Sequence, residues 1–269
     1  RNATYNQTLP TPYQGVGARG INNLTAKLLL TLFPPNSPFF KFQIDDFTLE
    51  ELQQQRAPVE EGLNSMERAV MDEIEGKAMR VPLNECIRHL LITGNAVLHA
   101  EKDNTIRVFH LDQYVVRRDP QGKVLEIIVK EKMSRELYKE IFNAAPPSET
   151  DTSADGNEKE LSLYTSVKRI DKKIKVRQEV NDKRIPGTDS EYPLEKTPWL
   201  ALRYNAIDGE DYGRGFVEEY LGDLKTVEGL SKAIIEGTAA AAKVLFLVKP
   251  NGTTKMRTVS NAPNLAVRQ

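Results

Sequence analysis

Apolar residues at Ile21, Leu24, Leu28, Leu29 and Leu32 recur at helical spacing until Pro34-Pro35, so the pattern predicts a helix over 21–33. Phe39 to Ile44 alternates as a short strand. Thr48 followed three residues later by Glu51 is a capping box opening a short helix to about Arg56. Pro58 suits the first turn of a second helix running to about Arg80. Pro82 opens a third, with Leu83, Ile87, Leu90 and Leu91 on one face and Gly94 as its stop.

Between Ala96 and Asn205 the period changes to two, which marks a sheet-forming half. Strands are predicted at 96–101, 106–111, 114–118, 123–132, 161–170, 174–180 and 199–204. Turn residues at Asp103-Asn104 and at Asp119-Pro120-Gln121-Gly122 make the first four strands two consecutive hairpins. Ser134 to Asn143 reads as a short helix. Residues 144–160 combine two prolines, small polar residues and five acids, and read as a mobile acidic loop. Residues 168–184 then hold eight Lys or Arg against three acids.

A helix from about Gly213 to Lys243, roughly 46 Å long, is the longest element predicted. Val217, Tyr220, Leu221, Leu224, Val227, Leu230 and Ile234 form its apolar stripe, and Gly215, Gly222 and Gly229 repeat every seven residues. An interior glycine costs about 1 kcal/mol against alanine, so such a helix needs neighbours on more than one side. A long core helix with incidental glycines is the plainer alternative. Val244 to Val248 and Lys255 to Val259 flank Lys249-Pro250-Asn251-Gly252 as a hairpin. Asp208 to Lys243 carries eight acids against four bases, whereas 244–269 carries four bases and no acid, so the two ends of this region are suited to different partners.

Charge over all 269 residues nearly cancels, with 37 Lys and Arg against 38 Asp and Glu, which argues against a dedicated nucleic-acid coat or a polybasic membrane binder. Cys86 is the only cysteine, so an intrachain disulfide is excluded and a reducing compartment is favoured. The first twelve residues lack the apolar core of a signal peptide, and residues 1–14, with Pro10 and Pro12, read as an extended arm. The longest apolar runs fall far short of the ~20 residues a bilayer requires.

Several chemical motifs were weighed. Gly15-Val16-Gly17-Ala18-Arg19-Gly20 has the glycine spacing of a dinucleotide fingerprint, with Asp45 further on. The preceding Thr8-Leu9-Pro10-Thr11-Pro12 is no central strand, so the plainer reading is a tight turn leading the arm into the first helix. His89, His99 and His110 lack ligand spacing, although His99 and His110 lie on adjacent strands. Cys86 falls within a helix, where packing is its use. The acids and glycines of Asp208 to Gly215 read as a turn placing carboxylates at a helix N-terminus. No metal, no cofactor and no catalytic set emerges, and the chain is read as not an enzyme.

The runs Tyr13 to Leu24, Tyr114-Val115-Val116-Arg117-Arg118-Asp119, Ile207-Asp208-Gly209-Glu210-Asp211-Tyr212-Gly213-Arg214-Gly215 and Glu218 to Leu224 together resemble the portal, or head-to-tail connector, proteins of short-tailed bacteriophages. The resemblance implies an α+β portal fold with a mixed helix and sheet wing, a stem of two helices, a clip between them and a crown. By order, residues 1–211 would be wing, 212–243 the first stem helix and 244–269 the start of a β-hairpin clip. The second stem helix and crown would lie beyond this stretch, about the first half of a portal.

It also implies a homo-oligomeric ring of about twelve at one capsid vertex, through which double-stranded DNA passes during packaging and ejection. Expected partners are the terminase large subunit, the major capsid and scaffolding proteins and the tail adaptor, with no membrane. The expected location is the virion, with assembly in the host cytoplasm. Gly215, Gly222, Leu224, Val227, Gly229 and Ile234 are the expected packing positions between stems, and Lys249, Lys255 and Arg257 the expected clip contacts to DNA or a partner. A nucleotide-binding enzyme using the Gly15–Gly20 turn and a monomeric structural adaptor are the other classes weighed.

Overall fold

A computed structural model of the chain describes residues 11–35, 37–44, 56–144 and 161–242. They form two compact units. One spans residues 17–220; the other joins the N-terminal residues up to Val16 with Leu221 onward.

In chain order the elements are α1 (Val16–Leu32), α2 (Arg56–Gly76), α3 (Arg80–Thr93), β1 (Asn95–Ala100), β2 (Ile106–Phe109), β3 (Tyr114–Arg118) and β4 (Val124–Met133). There follow α4 (Arg135–Phe142), β5 (Leu161–Ile170), β6 (Lys173–Val180), β7 (Lys183–Arg184), β8 (Ser190–Pro193), β9 (Trp199–Arg203), α5 (Phe216–Glu219) and α6 (Leu221–Ala241). The expected mixture of helix and sheet, α+β, is what is found.

The sheet-forming half makes two sheets, which corrects the single sheet expected from periodicity. β2-β1-β9 form one, and β3-β4-β5-β6-β7 the other, with β8 also on β6. Every pairing is antiparallel. Alternation explains how the layers stack. Along β1, Val97 points into a core shared with the second sheet, with Phe109, Tyr114, Ile127, Val129, Val167, Val176 and Trp199. Ala96 and Leu98 point the other way, beside Cys86 of α3. A strand covered on both sides is buried continuously, as residues 95–98 are. A third cluster, Met133, Tyr138, Leu161, Leu163, Val180 and Ile185, lies under α4.

Several boundaries follow the sequence closely. β5 has the predicted ends, the 103–104 and 119–122 turns close the β1/β2 and β3/β4 hairpins, and Gly94 ends α3 with a left-handed backbone at φ 76°. α4 is capped by Ser134, whose hydroxyl accepts from the Leu137 N–H, and by left-handed Asn143.

Other expectations are corrected. α1 begins five residues earlier than predicted, with the Gln14 side chain accepting from the Val16 N–H at 2.7 Å. Gly17 and Gly20 are therefore helical, and the proposed glycine turn does not exist. Phe39 to Ile44 is no strand; instead Phe33, Phe39, Phe40 and Phe42 form a run of edge-on ring contacts 5.0–5.4 Å apart. The helix predicted from 58 to 80 ends at Gly76, and Ala78, with φ 50°, separates it from α3. β7 and β8 went unpredicted, being short and defined by partners on β6.

The longest predicted helix is interrupted. α5 ends at Tyr220, whose N–H bonds the Val217 carbonyl three residues back at 3.2 Å, a tighter turn than the α-helical one. α6 then runs 21 residues, about 31 Å. The helix from Thr48 as far as Gln55, the arm as far as Pro10, residues 145–160 of the acidic loop, the helix end at Lys243 and the hairpin after it lie outside the described residues.

Candidate functional site

Two local structures account for the residues singled out by sequence. The first is a backbone clasp within residues 17–220. Asn95, 3% exposed, donates from its side-chain amide to the Gly213 carbonyl at 2.8 Å and accepts the Gly213 N–H at 2.7 Å. The same amide donates to the Thr93 carbonyl, so a buried polar side chain is satisfied on both sides. Asn205 and Arg214 exchange backbone bonds as an isolated bridge, and the Tyr204 N–H donates to the Gly94 carbonyl at 2.9 Å.

Glycine makes this approach possible. A Cβ on Gly94 would strike the Arg214–Gly215 backbone, and one on Gly215 would strike the Ile92 carbonyl and the Gly94 nitrogen. Gly215 is therefore consumed by a close contact inside its own chain. It lies in extended backbone before α5, not on the long helix, and leaves the set of helix-packing positions expected from the seven-residue repeat.

The acids of this segment also have a different use from the one expected. The Asp211 carboxylate accepts the Arg118 N–H at 2.7 Å, and the Tyr212 hydroxyl accepts the Val116 N–H at 3.1 Å, so both saturate the β3 edge. The Arg118 guanidinium donates to three carbonyls, those of Asp211, Gly122 and Ala201. Burial, and then the neighbouring Arg203, lower its pKa. Glu210 and Glu218 flank Arg214 at 3.2 and 2.6 Å.

The second structure is α6 with the arm residue Tyr13. No residue of α6 is buried. Val227, Leu230 and Ile234 are 40%, 59% and 67% exposed and form one ridge. Gly222 and Gly229 lie about a third of a turn round the helix from it, joined by Thr226 and Ala233, and a Cβ on either glycine would meet nothing within 4 Å. Leu224, half-buried, lies on a third side. Beside it, the Tyr13 N–H donates to the Glu228 carboxylate at 2.8 Å and its hydroxyl to Glu236 at 3.3 Å, with the Lys232 ammonium 6.0 Å from the ring.

Five of the six expected packing positions thus sit on one exposed helix, while Gly215 does not. Lys249, Lys255 and Arg257 lie outside the described residues. Sequence reasoning missed Asn95, whose partner is 118 residues away, and Tyr13, whose carboxylate partners lie more than 200 residues on.

Nothing in the glycine motif or the histidines assembles into a reaction centre. Gly17 and Gly20 are inside α1. His99 stacks on Trp199 at 3.8 Å, while the His110 ring lies 5.7 Å from that of His89. Burial, chiefly, pushes the Cys86 thiol up to about 12, consistent with a packing role. Among the described residues no cluster of His, Cys, Asp and Glu could hold a metal, and no helix is long and apolar enough to cross a membrane.

The clasp is built from backbone, and among the described residues α6 has no buried position, with small residues on one side and apolar ones on another. Residues 2–267 match the family described as bacteriophage head to tail connecting protein, and the chain belongs to it.

Its relatives include the portal protein of Enterobacteria phage T3, 38% identical over 267 residues, covering 94% of this chain and 48% of the relative. That of Escherichia phage T7 is 34% identical, with coverage of 94% and 48%, and that of Pseudomonas phage phiKMV 30% identical, with 88% and 47%. The chain spans about half the length of these relatives.

Proposed function

We propose that the protein is a portal subunit, forming a ring of about twelve copies at one capsid vertex through which double-stranded DNA enters during packaging and leaves during ejection. Residues 1–211 supply the wing, 212–243 contain the first stem helix, which begins in earnest at Leu221, and 244–269 open the clip. The terminase large subunit, the major capsid and scaffolding proteins and the tail adaptor are the proposed partners. Lys249, Lys255 and Arg257 are the proposed clip contacts.

The observation that carries this reading is the division of α6 into two unlike faces. A symmetric dimer buries the same patch on both copies, whereas a ridge meeting a different, small-residue face joins copies head to tail, the kind of contact that closes into a ring when the rotation between copies allows it. The ridge of Val227, Leu230 and Ile234 seated against Gly222 and Gly229 of the next copy satisfies that requirement. Three acids and two bases on α6 also leave it without a net attraction for phosphate, as suits a wall past which DNA must slide.

Native mass spectrometry of the full-length protein tests the proposal. A closed ring of about twelve subunits is expected. A single-subunit or dimeric mass at micromolar concentration would overturn it.

A further inference from the structure

The outward side of the β3–β8 sheet carries a cation pattern that its own carboxylates do not balance. One row across the strands reads Arg117, Glu126, Lys168, Lys175 and Glu191, each directly opposite the next in the antiparallel register. Lys168 and Lys175 are thus like charges facing each other, an arrangement that destabilises a sheet. Their side chains are 45% and 50% exposed.

The available carboxylates are shared. Glu126 lies 3.5 Å from Arg117 and 3.7 Å from Lys168, while Glu191 lies 3.0 Å from Lys173 and 3.3 Å from Lys175. Two negative charges serve four positive ones. Along β6, Lys173, Lys175 and Arg177 project to this same side from alternate positions, with Glu179 3.1 Å from Arg177, so three carboxylates face five cations in all.

We infer that this sheet face binds the phosphate backbone of double-stranded DNA, without regard to sequence. Alternate residues of a strand are about 6.8 Å apart, so Lys173, Lys175 and Arg177 form an evenly spaced line of cations along which a phosphate backbone can lie. Lysines on a flat, solvated sheet give positioning and not base readout. A phosphate between Lys168 and Lys175 removes the repulsion that the isolated sheet carries. The inference rests on the proposed portal role only in that duplex DNA is then at hand; the site shares no residue with α6 or with the proposed clip contacts.

Fluorescence anisotropy of the full-length protein with a random-sequence duplex of about 30 base pairs, titrated between 50 and 200 mM salt, tests it. K168Q/K175Q is expected to weaken binding at least tenfold at low salt and to reduce the slope of log K against log salt by about two. The pair is exposed and mutually repulsive, so the variant should unfold no earlier than the parent. K249Q/K255Q/R257Q serves as the comparison for the clip.

Unchanged affinity and slope in K168Q/K175Q overturn the inference, whatever the subunit number. A polyglutamate of equal charge should bind the parent more weakly than the duplex; equal or tighter binding would mark an acidic protein as the partner and also overturn it. Native mass spectrometry on the same samples reads ring assembly separately, so loss of DNA binding with an unaltered mass supports the DNA site alone.

Discussion

Asn95 and Gly213, separated by 118 positions in the chain, meet through a reciprocal pair of hydrogen bonds in which one side chain imitates the edge of a strand. The side-chain amide offers a donor and an acceptor in one plane, which is what a lone peptide unit requires.

Asn95→Leu keeps the volume and removes both partners, leaving the Gly213 N–H and carbonyl buried without hydrogen bonds. A loss of about 2–4 kcal/mol is expected, from about 1–3 kcal/mol per unsatisfied group. Urea unfolding followed by tryptophan emission at Trp199 reads it directly. A midpoint unchanged from the parent would mean the clasp adds nothing to stability.

Gly215 and Gly229 stand fourteen residues apart in the same repeat and should respond oppositely to alanine. Gly215→Ala forces backbone apart around Ile92 and Gly94 and is expected to lower the melting temperature by many degrees. Gly229→Ala meets open space and gains about 1 kcal/mol of helix propensity, so the isolated subunit should be unharmed. Its ring yield should fall if α6 packs as proposed, because the added methyl would fill the groove proposed to receive the neighbour's ridge. Thermal unfolding and native mass spectrometry on both variants separate the two effects; equal behaviour in both measurements would contradict this division.

His99 gives the fold a pH dependence. Burial against Trp199 lowers its pKa below the ordinary 6.5, with Glu101 and Glu131 opposing the shift and Arg107 adding to it. The unfolded chain therefore binds a proton that the folded one refuses, and stability declines as pH falls below about 6.5 towards the folded-state value. Above that pH the group is neutral in both states and has no effect. His99→Phe retains the stack and should flatten the decline between pH 6.5 and 5 in urea titrations. An identical slope in the variant would assign the dependence elsewhere.

Elements whose partners are near in sequence were legible. β5 buries Leu161, Leu163, Thr165 and Val167 at alternate positions, and α4 announces both of its ends in Ser134 and Asn143. Phe39 to Ile44 alternates too, yet its rings found one another edge-on and no second strand came alongside. β8 was invisible because only its pairing with β6 makes Ser190–Pro193 a strand.

The site shows the same limit. The apolar and glycine positions of α6 could be read from spacing alone. Gly215 could not be told from Gly222 and Gly229 by that spacing, since what separates them is Ile92 and Gly94, brought close by the folding of β1 and β9. The acids of Asp208 to Gly215 misled for a related reason: Asp211 is held by the Arg118 peptide, not by a helix end.

α4 is closed at both termini by its own caps, and β5 is paired from its first residue, Leu161 opposite Met133. The caps of α4 and the first pairing of β5 are thus made by residues on either side of the stretch between Asn143 and Leu161. Doubling a connection's length adds only about 0.6 kcal/mol of closure entropy. An epitope or fluorescent peptide grafted there should cost the fold little, which makes this junction a natural handle for labelling the proposed ring.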